Sequence, residues 1–248
     1  MRRQLVITDL TRMQHGRVCL AGYDANGQCI RPSLPPPGIS EQGLIVDGQP
    51  VAYPFAIVGL DLLCPRPQPP HTEDWDFDPA SIKFIRRVKD ENRARVFDGS
   101  LFDSVSAIFE QPIHDDLGHY VQQGCGPRSI GTIRPRSILR VIYEKGPAGV
   151  WDYRLVLVDG DDAMYRLKIV DLTWHYYCDS LRGASRDPAQ IAAGLTATLK
   201  SSAVYIRIGL SRGWAQFPDR CYLQITGLHT TPDYLGGQTF ADFAPKQI

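Results

Sequence analysis

The chain predicts a mainly β fold with a few helices, organised as two tandem Greek-key barrels, and three observations carry that expectation. Short runs rich in Val, Ile and Tyr alternate with turn residues along most of its length. The string Val6-Ile7-Thr8-Asp9-Leu10-Thr11 returns as Ile169-Val170-Asp171-Leu172-Thr173, and Ile30-Arg31-Pro32 has an echo in Ile133-Arg134-Pro135, which reads as two related β units. The second half orders its elements as three strands, a helix and two strands, the order of a five-stranded barrel of the OB type. An SH3-like or split barrel stays open, because order alone does not fix pairing.

Gln4 to Asp9 reads as the first strand, and Arg17 to Tyr23 then meets Gln28 to Arg31 across Asn26-Gly27, a dipeptide suited to positive φ in a tight hairpin. That turn sets Tyr23 opposite Ile30 and Asp24 opposite Cys29, so Cys19 and Cys29 do not face each other. Val51 to Leu63 is a further strand between two proline clusters, Pro35-Pro36-Pro37-Gly38 and Pro65 to Pro70, which read as surface connections. Asp78-Pro79 offers a helix cap followed by proline, with Ile82, Ile85 and Val88 on one face, and Leu101, Val105, Ile108 and Phe109 suggest another helix. The first barrel is therefore expected over residues 1–126 with a helical insert at about 79–110, and the second over 127–248 with a C-terminal tail.

In that second unit Ser137 to Glu144, Trp151 to Asp159 and Met164 to Asp171 read as strands, with Trp174 to Cys178 as a strand-like continuation. Asp187-Pro188 starts a helix that runs through Leu199, and Ala203 to Leu210 and Arg220 to Gly227 complete the set.

With 43% hydrophobic and 22% charged residues the chain is neither disordered nor membrane-embedded. It holds no apolar run near the roughly 20 residues of a membrane span, and a cytoplasmic protein is expected. Its six cysteines lack paired spacing and read as reduced thiols. Net charge is zero, which removes the simplest argument for a nucleic-acid partner, but acidic residues prevail over 1–127 and basic ones over 128–220. Any positive surface belongs to the second half.

Several strings resemble a known family: Thr8-Asp9-Leu10-Thr11-Arg12-Met13 with Val18-Cys19-Leu20-Ala21-Gly22 and Ile30-Arg31-Pro32, Pro70-His71-Thr72-Glu73-Asp74-Trp75, and Cys221 to Gly227 with Pro232-Asp233-Tyr234-Leu235. They are similar to the dual OB-containing domain family over most of the chain. The resemblance implies tandem OB folds and supplies no catalytic residues.

Gly209-Leu210-Ser211-Arg212-Gly213 matches the Gly-x-Ser-x-Gly elbow of hydrolases, but Trp214 to Pro218 cannot begin the helix that elbow requires. His175 with Cys178, His114 with His119, and His71 with Glu73 and Asp74 are isolated ligand pairs, where a zinc site needs two pairs together, so no metal or cofactor is expected. Gly124-Cys125-Gly126-Pro127-Arg128 with Arg134 and Arg136 reads as an interdomain linker, or as a loop that binds an anion through backbone N–H groups and guanidinium donors. Trp174, Tyr176 and Tyr177 beyond the third strand, Tyr205 and Arg207 along the fourth, and Arg212 beside Trp214 in the loop after it form an aromatic and basic set. OB barrels bind single strands on such faces.

The expected function is non-enzymatic binding of single-stranded DNA or RNA. Trp214, Trp174 and Tyr177 would stack bases, and Arg207, Arg212, Arg128, Arg134 and Arg136 would meet phosphates. A protein-interaction module of a larger assembly is the alternative. A third reading is an enzyme acting on a nucleotide or nucleic acid, with Asp74 or Asp9 as base.

Overall fold

The computed structural model describes residues 1–147, 149–183 and 186–245. The first unit is made of β1 (Arg2–Arg12), β2 (Arg17–Tyr23), β3 (Cys29–Ser33), β4 (Ala56–Pro65) and β5 (Asp74–Arg87). Antiparallel pairing joins β2 to both β1 and β3, β1 to β4, and β4 to β5, and a parallel ladder from β3 to β5 completes the ring. The order 1-2-3-5-4 returning to 1 is that of an OB barrel. Leu5, Ile7, Val18, Leu20, Ile30, Val58, Leu60, Leu62 and Phe77 fill it.

Asp24 to Gln28 closes the β2–β3 hairpin one residue wider than the Asn26-Gly27 turn predicts. Asp24 Oδ1 accepts hydrogen bonds from the backbone of Asn26 (2.9 Å) and Gln28 (3.0 Å), and only Gly27 takes positive φ. Tyr23 therefore pairs with Cys29 and Gly22 with Ile30. Cys19 lies opposite Thr11 instead, and none of the six cysteines is in a disulfide.

The predicted helix after Asp78-Pro79 is strand. Asp78 does bind the next turn, with its Oδ1 accepting from Ala80 N at 3.0 Å, but Ser81 Oγ then accepts from Asp61 N of β4 at 2.8 Å. The Asp-Pro pair thus shapes a bulge where the β4–β5 register slips between Gly59 and Asp61, and tertiary pairing overrides the helical spacing of Ile82 and Ile85. Beyond β5 only single 3-10 turns, a short β6 (Leu101–Phe102) and α1 (Val105–Phe109) remain of the expected insert.

The chain continues through β7 (His119–Gln122), β8 (Ile130–Ile133), β9 (Ser137–Lys145), β10 (Trp151–Val158), β11 (Met164–Ile169), α2 (Leu172–Gly183), α3 (Pro188–Lys200), β12 (Ala203–Leu210) and β13 (Arg220–Thr231). Strands β9, β10, β11, β13 and β12 lie in the same 1-2-3-5-4 order, again with the third and fifth parallel. Here, among the described residues, no ladder closes the ring. The outer edge of β12 takes β8, while α3 lies against β9 with Thr196 Oγ1 accepting from Val141 N at 2.9 Å. Asp187 caps α3 through Ala189 N (2.7 Å), and Ile191, Leu195 and Leu199, each four apart, carry its apolar face into the core.

The expected cut at residue 126 falls inside this second unit. β6 pairs with β8, β7 pairs with β13, and Val105, Ile108, Phe109 and Val121 sit in the second core beside Ile206 and Ile225. In return Phe240, in the C-terminal α4 (Phe240–Phe243), is buried in the first core. The Gly124–Arg136 segment is correspondingly no loose linker.

The repeated string marks a contact, and not equivalent positions. Val6 to Thr11 lies in the first strand of its unit, whereas Ile169 to Thr173 crosses from the third strand into α2. Arg12 N donates to Val170 O at 2.7 Å, and Thr11 bridges Asp171. Asp171 Oδ1 accepts from Thr173 N (2.8 Å) and Trp174 N (3.3 Å), a helix cap, so the segment expected to be strand-like is helical and brings His175 and Cys178 onto one face.

Candidate functional site

A groove of about 810 Å³ opens between the two units. The first barrel supplies the inner part from Cys19, Leu20 and Ala21 of β2, Arg31 to Ser33 of β3, the β1–β2 loop at Met13 to His15, and His71 of the loop 66–73 between β4 and β5. The second supplies Gly209 to Arg212 and Trp214 at the end of β12, with Gln224 and Thr226 of β13. OB barrels bind ligands on the face of strands two and three, flanked by the loops after strands one and four. This groove is that face of the first barrel, with the loop after strand four of the second folded over it.

Electrostatics at its wall centre on Asp74. Its Oδ1 accepts from Arg31 Nε at 2.5 Å and its Oδ2 from Arg212 Nη2. Arg31 is enclosed, while half of Arg212 faces solvent. Close by, His71 is buried and, among the described residues, neither of its ring nitrogens nor Arg31 Nη2 has a hydrogen-bond partner. Burial, helped by the positive charges of Arg31 and Arg212, pushes the His71 imidazole down to about 3, so it is neutral at ordinary pH. Desolvation raises the Cys19 thiol, which keeps it protonated.

Among the residues singled out from sequence, Arg212 and Trp214 line the groove, and the Trp214 ring is 58% exposed at 6.1 Å from Phe217. Asp9, His71 and Ser211 line it as well, and the remaining stacking and phosphate candidates lie elsewhere. Trp174 is fully buried against Tyr234, and half-buried Tyr177 packs on Tyr234 and Phe243, so neither ring can receive a base. Arg207 is fully enclosed between the barrels, where it binds Asp9, Thr132 and Tyr23, so it cannot reach a phosphate. Arg128 donates to Ile108 O and Glu110, Arg134 lies over the Tyr205 ring, and Arg136 pairs with Asp162 at the surface. None of these three lines the groove.

The glycine segment before Arg128 does not form an anion nest. Gly124 N donates to Pro69 O, Cys125 N to Gln122 O, and Ser129 N to the Glu73 carboxylate at 2.7 Å. Ser211 directly follows β12 with its Oγ accepting from Tyr222 N, and an open loop continues in place of the helix a nucleophile elbow needs. Among the described residues no group of three His, Cys, Asp or Glu side chains could hold a metal ion, and no helix is long and apolar enough to cross a membrane.

Sequence reasoning missed the charged surface beside the groove. Gln224 on the groove wall pairs with Lys168 of β11, Lys168 with Arg154 of β10, and Arg166 with Val156, whose other neighbour is Arg140 of β9. Tyr165, Leu167 and Ile169 point into the core, so Arg166 and Lys168 stand on the opposite, outward face with Arg140 and Arg154. Arg154 is ion-paired with Asp152 at 2.6 Å, so the basic row that runs from the groove across the outside of the second sheet is Lys168, Arg166 and Arg140. The strict alternation Met164-Tyr165-Arg166-Leu167-Lys168-Ile169 was a legible signal for it. The sequence brings up His71 only as an isolated metal-ligand candidate and Arg31 only within a family-like string, and nothing in it joins the two.

Two units of 1-2-3-5-4 order with a groove on the ligand face define a tandem OB-fold protein. The chain belongs to the family of dual OB-containing domains, DuOB, whose sequence model matches residues 4–228. No curated protein matches it.

Proposed function

We propose that this protein binds single-stranded nucleic acid in the groove between its barrels, without turning it over. One observation carries the reading: an exposed indole, Trp214, stands beside a half-exposed guanidinium, Arg212, on the ligand face of an OB barrel. An exposed ring on a fixed loop offers a base the stacking surface that a buried ring cannot, and the neighbouring arginine meets the backbone. The groove volume falls within the roughly 300–1,000 Å³ of pockets that enclose small ligands, so it suits one or two nucleotides of a strand, with the remainder following the basic row of Lys168, Arg166 and Arg140. The sheet outside that row supplies the positive surface that a net charge of zero conceals.

The acidic residues available as catalytic bases are already engaged. Asp74 accepts from two guanidiniums and Asp9 from Arg207, Thr8 and Thr226, which favours binding over proton transfer.

Fluorescence anisotropy with labelled single strands and the matching duplex tests the proposal. Single strands should bind more tightly and with strong salt dependence, because a duplex hides its base faces. Absence of salt-dependent binding to any single strand at micromolar protein would overturn it in favour of a protein-interaction module.

A further inference from the structure

The interior of the groove holds an arrangement that neither stacking nor backbone attraction uses. His71 is 1% exposed and Arg31 9%, both line the groove, and both carry buried nitrogens with no hydrogen-bond partner among the described residues: Nδ1 and Nε2 of His71 and Nη2 of Arg31. Unmatched buried polar groups are rare because each forfeits its hydration without return. Collapse of the loop would relieve them, but the loop is fastened on several sides. Gln68 and His71 exchange backbone hydrogen bonds at 3.1 and 2.6 Å, Arg31 N donates to Glu73 O at 2.8 Å, and the Glu73 carboxylate accepts from Ser129 through both its oxygens. Donors held this way are preorganised for a ligand.

Their chemistry specifies the ligand. Arg31 Nη2 is a charged donor, and a neutral imidazole brings one N–H. Arg212 adds a second charged donor, and the two arginines face the carboxylates of Asp74, which accepts from both, and of Glu73, which accepts from Ser129, so the ligand is selected by the unmatched donors and not by an excess of charge. A compact anion with several acceptor oxygens satisfies all of these groups. A phosphodiester must pass through a site by both its ester oxygens, whereas a phosphate monoester can end in an enclosed one.

We propose that Arg31 and His71, with Arg212, form a subsite for a phosphate monoester group, borne by the end of a nucleic-acid strand or by a free mononucleotide. This rests on the strand-binding reading for the role of Trp214, which shares the groove and would take the attached base. The neutral imidazole would donate its one N–H to a phosphate oxygen, and no proton transfer or covalent step is involved.

Isothermal titration calorimetry on the full chain separates the possibilities, using one short oligonucleotide with a 5′-phosphate, a 3′-phosphate or hydroxyls at both ends, and a nucleoside beside its monophosphate. One phosphorylated end should bind at least tenfold more tightly than the hydroxyl-ended strand, and the monophosphate should outbind its nucleoside by a similar factor. A strand-end ligand is indicated when the phosphorylated oligonucleotide exceeds the mononucleotide, and a free nucleotide when the two are equal. His71→Leu removes no hydrogen bond from the free protein, so it should fold with undiminished stability while the preference for phosphate collapses to parity. A merely structural His71 would lower stability and leave the preference intact, which overturns the proposal. Equal affinity of the wild type for phosphorylated and hydroxyl-ended strands also overturns it while leaving strand binding in place. Binding of the monophosphate with none of any hydroxyl-ended strand supports the subsite and removes the strand reading.

Discussion

Arg207 of β12 donates through Nε to Asp9 of β1 at 2.8 Å, and with side-chain exposures of 0% and 2% this ion pair lies wholly inside the contact between the barrels. Thr8 and Thr226 also donate to Asp9, and Arg207 reaches Thr132, Tyr23 and Cys29 Sγ, so most polar atoms of the pair are matched. The packing leaves no slack, since a Cβ on Gly227 would sit 2.6 Å from Thr8 O.

Breaking this pair from one side should cost far more than removing it. Asp9→Ala leaves an enclosed guanidinium without its counter-charge, a loss of roughly 3–5 kcal/mol, whereas joint replacement of Asp9 and Arg207 by Leu and Met should recover much of it. Urea unfolding of the two variants checks the difference. Equal destabilisation by both would mean that the pair is not the coupling element.

Trp214→Ala should behave in the opposite way. The ring is mostly exposed and packs only loosely on Phe217, so unfolding should shift by less than about 0.5 kcal/mol. Its loss should weaken single-strand binding by about 1–3 kcal/mol, the range for one stacked base. Anisotropy titration beside a melting curve reads both quantities, and unchanged affinity would exclude Trp214 as a stacking platform.

Strand content and the OB-type order were legible because alternation and turn chemistry are local. Met164 to Ile169 shows this in six residues, and Asp187-Pro188 marks the start of α3. The failures share a different cause. Asp78-Pro79 and Asp171-Leu172 carry similar cap chemistry, but β4 captures the first as strand while the second opens a helix, and only the partner decides. Trp174 and Cys178 did carry a clue, since their spacing of four suits one helix face. For Arg207 the sequence offered a basic residue alternating with an aromatic, the pattern of an exposed binding strand. Its neighbour across the interface, Asp9, is 198 residues away, and nothing local distinguishes a guanidinium that meets phosphate from one that meets a buried carboxylate. The pairing of His71 with Arg31 was invisible for the same reason, since His71 was read only beside Glu73 and Asp74.

Salt dependence should localise the backbone path. Arg166 and Lys168 stand exposed on the outer face, and if each meets one phosphate, changing both to Ala should reduce the slope of log K against log salt by about 1.4, at roughly 0.7 per phosphate for single strands. Trp214→Ala should lower affinity at every salt concentration with the slope unchanged, because stacking releases no counterions. A double variant that keeps the wild-type slope would move the backbone path off this row.

Acid should destabilise the fold through its enclosed histidines. Burial pushes His175 and His229 down to about 4 and His71 to about 3, from an ordinary value of 6.5. The unfolded chain protonates these rings near pH 6.5 and the folded chain only near their lowered values, so their contribution is complete above 6.5 and is lost as pH falls toward 4. Asp171 acts with the opposite sign. Burial raises its carboxyl from 3.8 to about 7, so the folded state holds a proton there that the unfolded state releases, and its contribution declines as pH rises from about 4 to 7. Between these limits the unfolded chain binds up to three more protons on histidines against one fewer on Asp171, a net of two. Stability should therefore fall with decreasing pH between 6.5 and 4, with a steepest slope on the order of 2–3 kcal/mol per pH unit. Urea unfolding at intervals from pH 7 to 4.5 measures the slope, and His175→Gln should reduce it by about the share of one proton. A profile that stayed flat or rose toward acid would show that Asp171 outweighs the histidines.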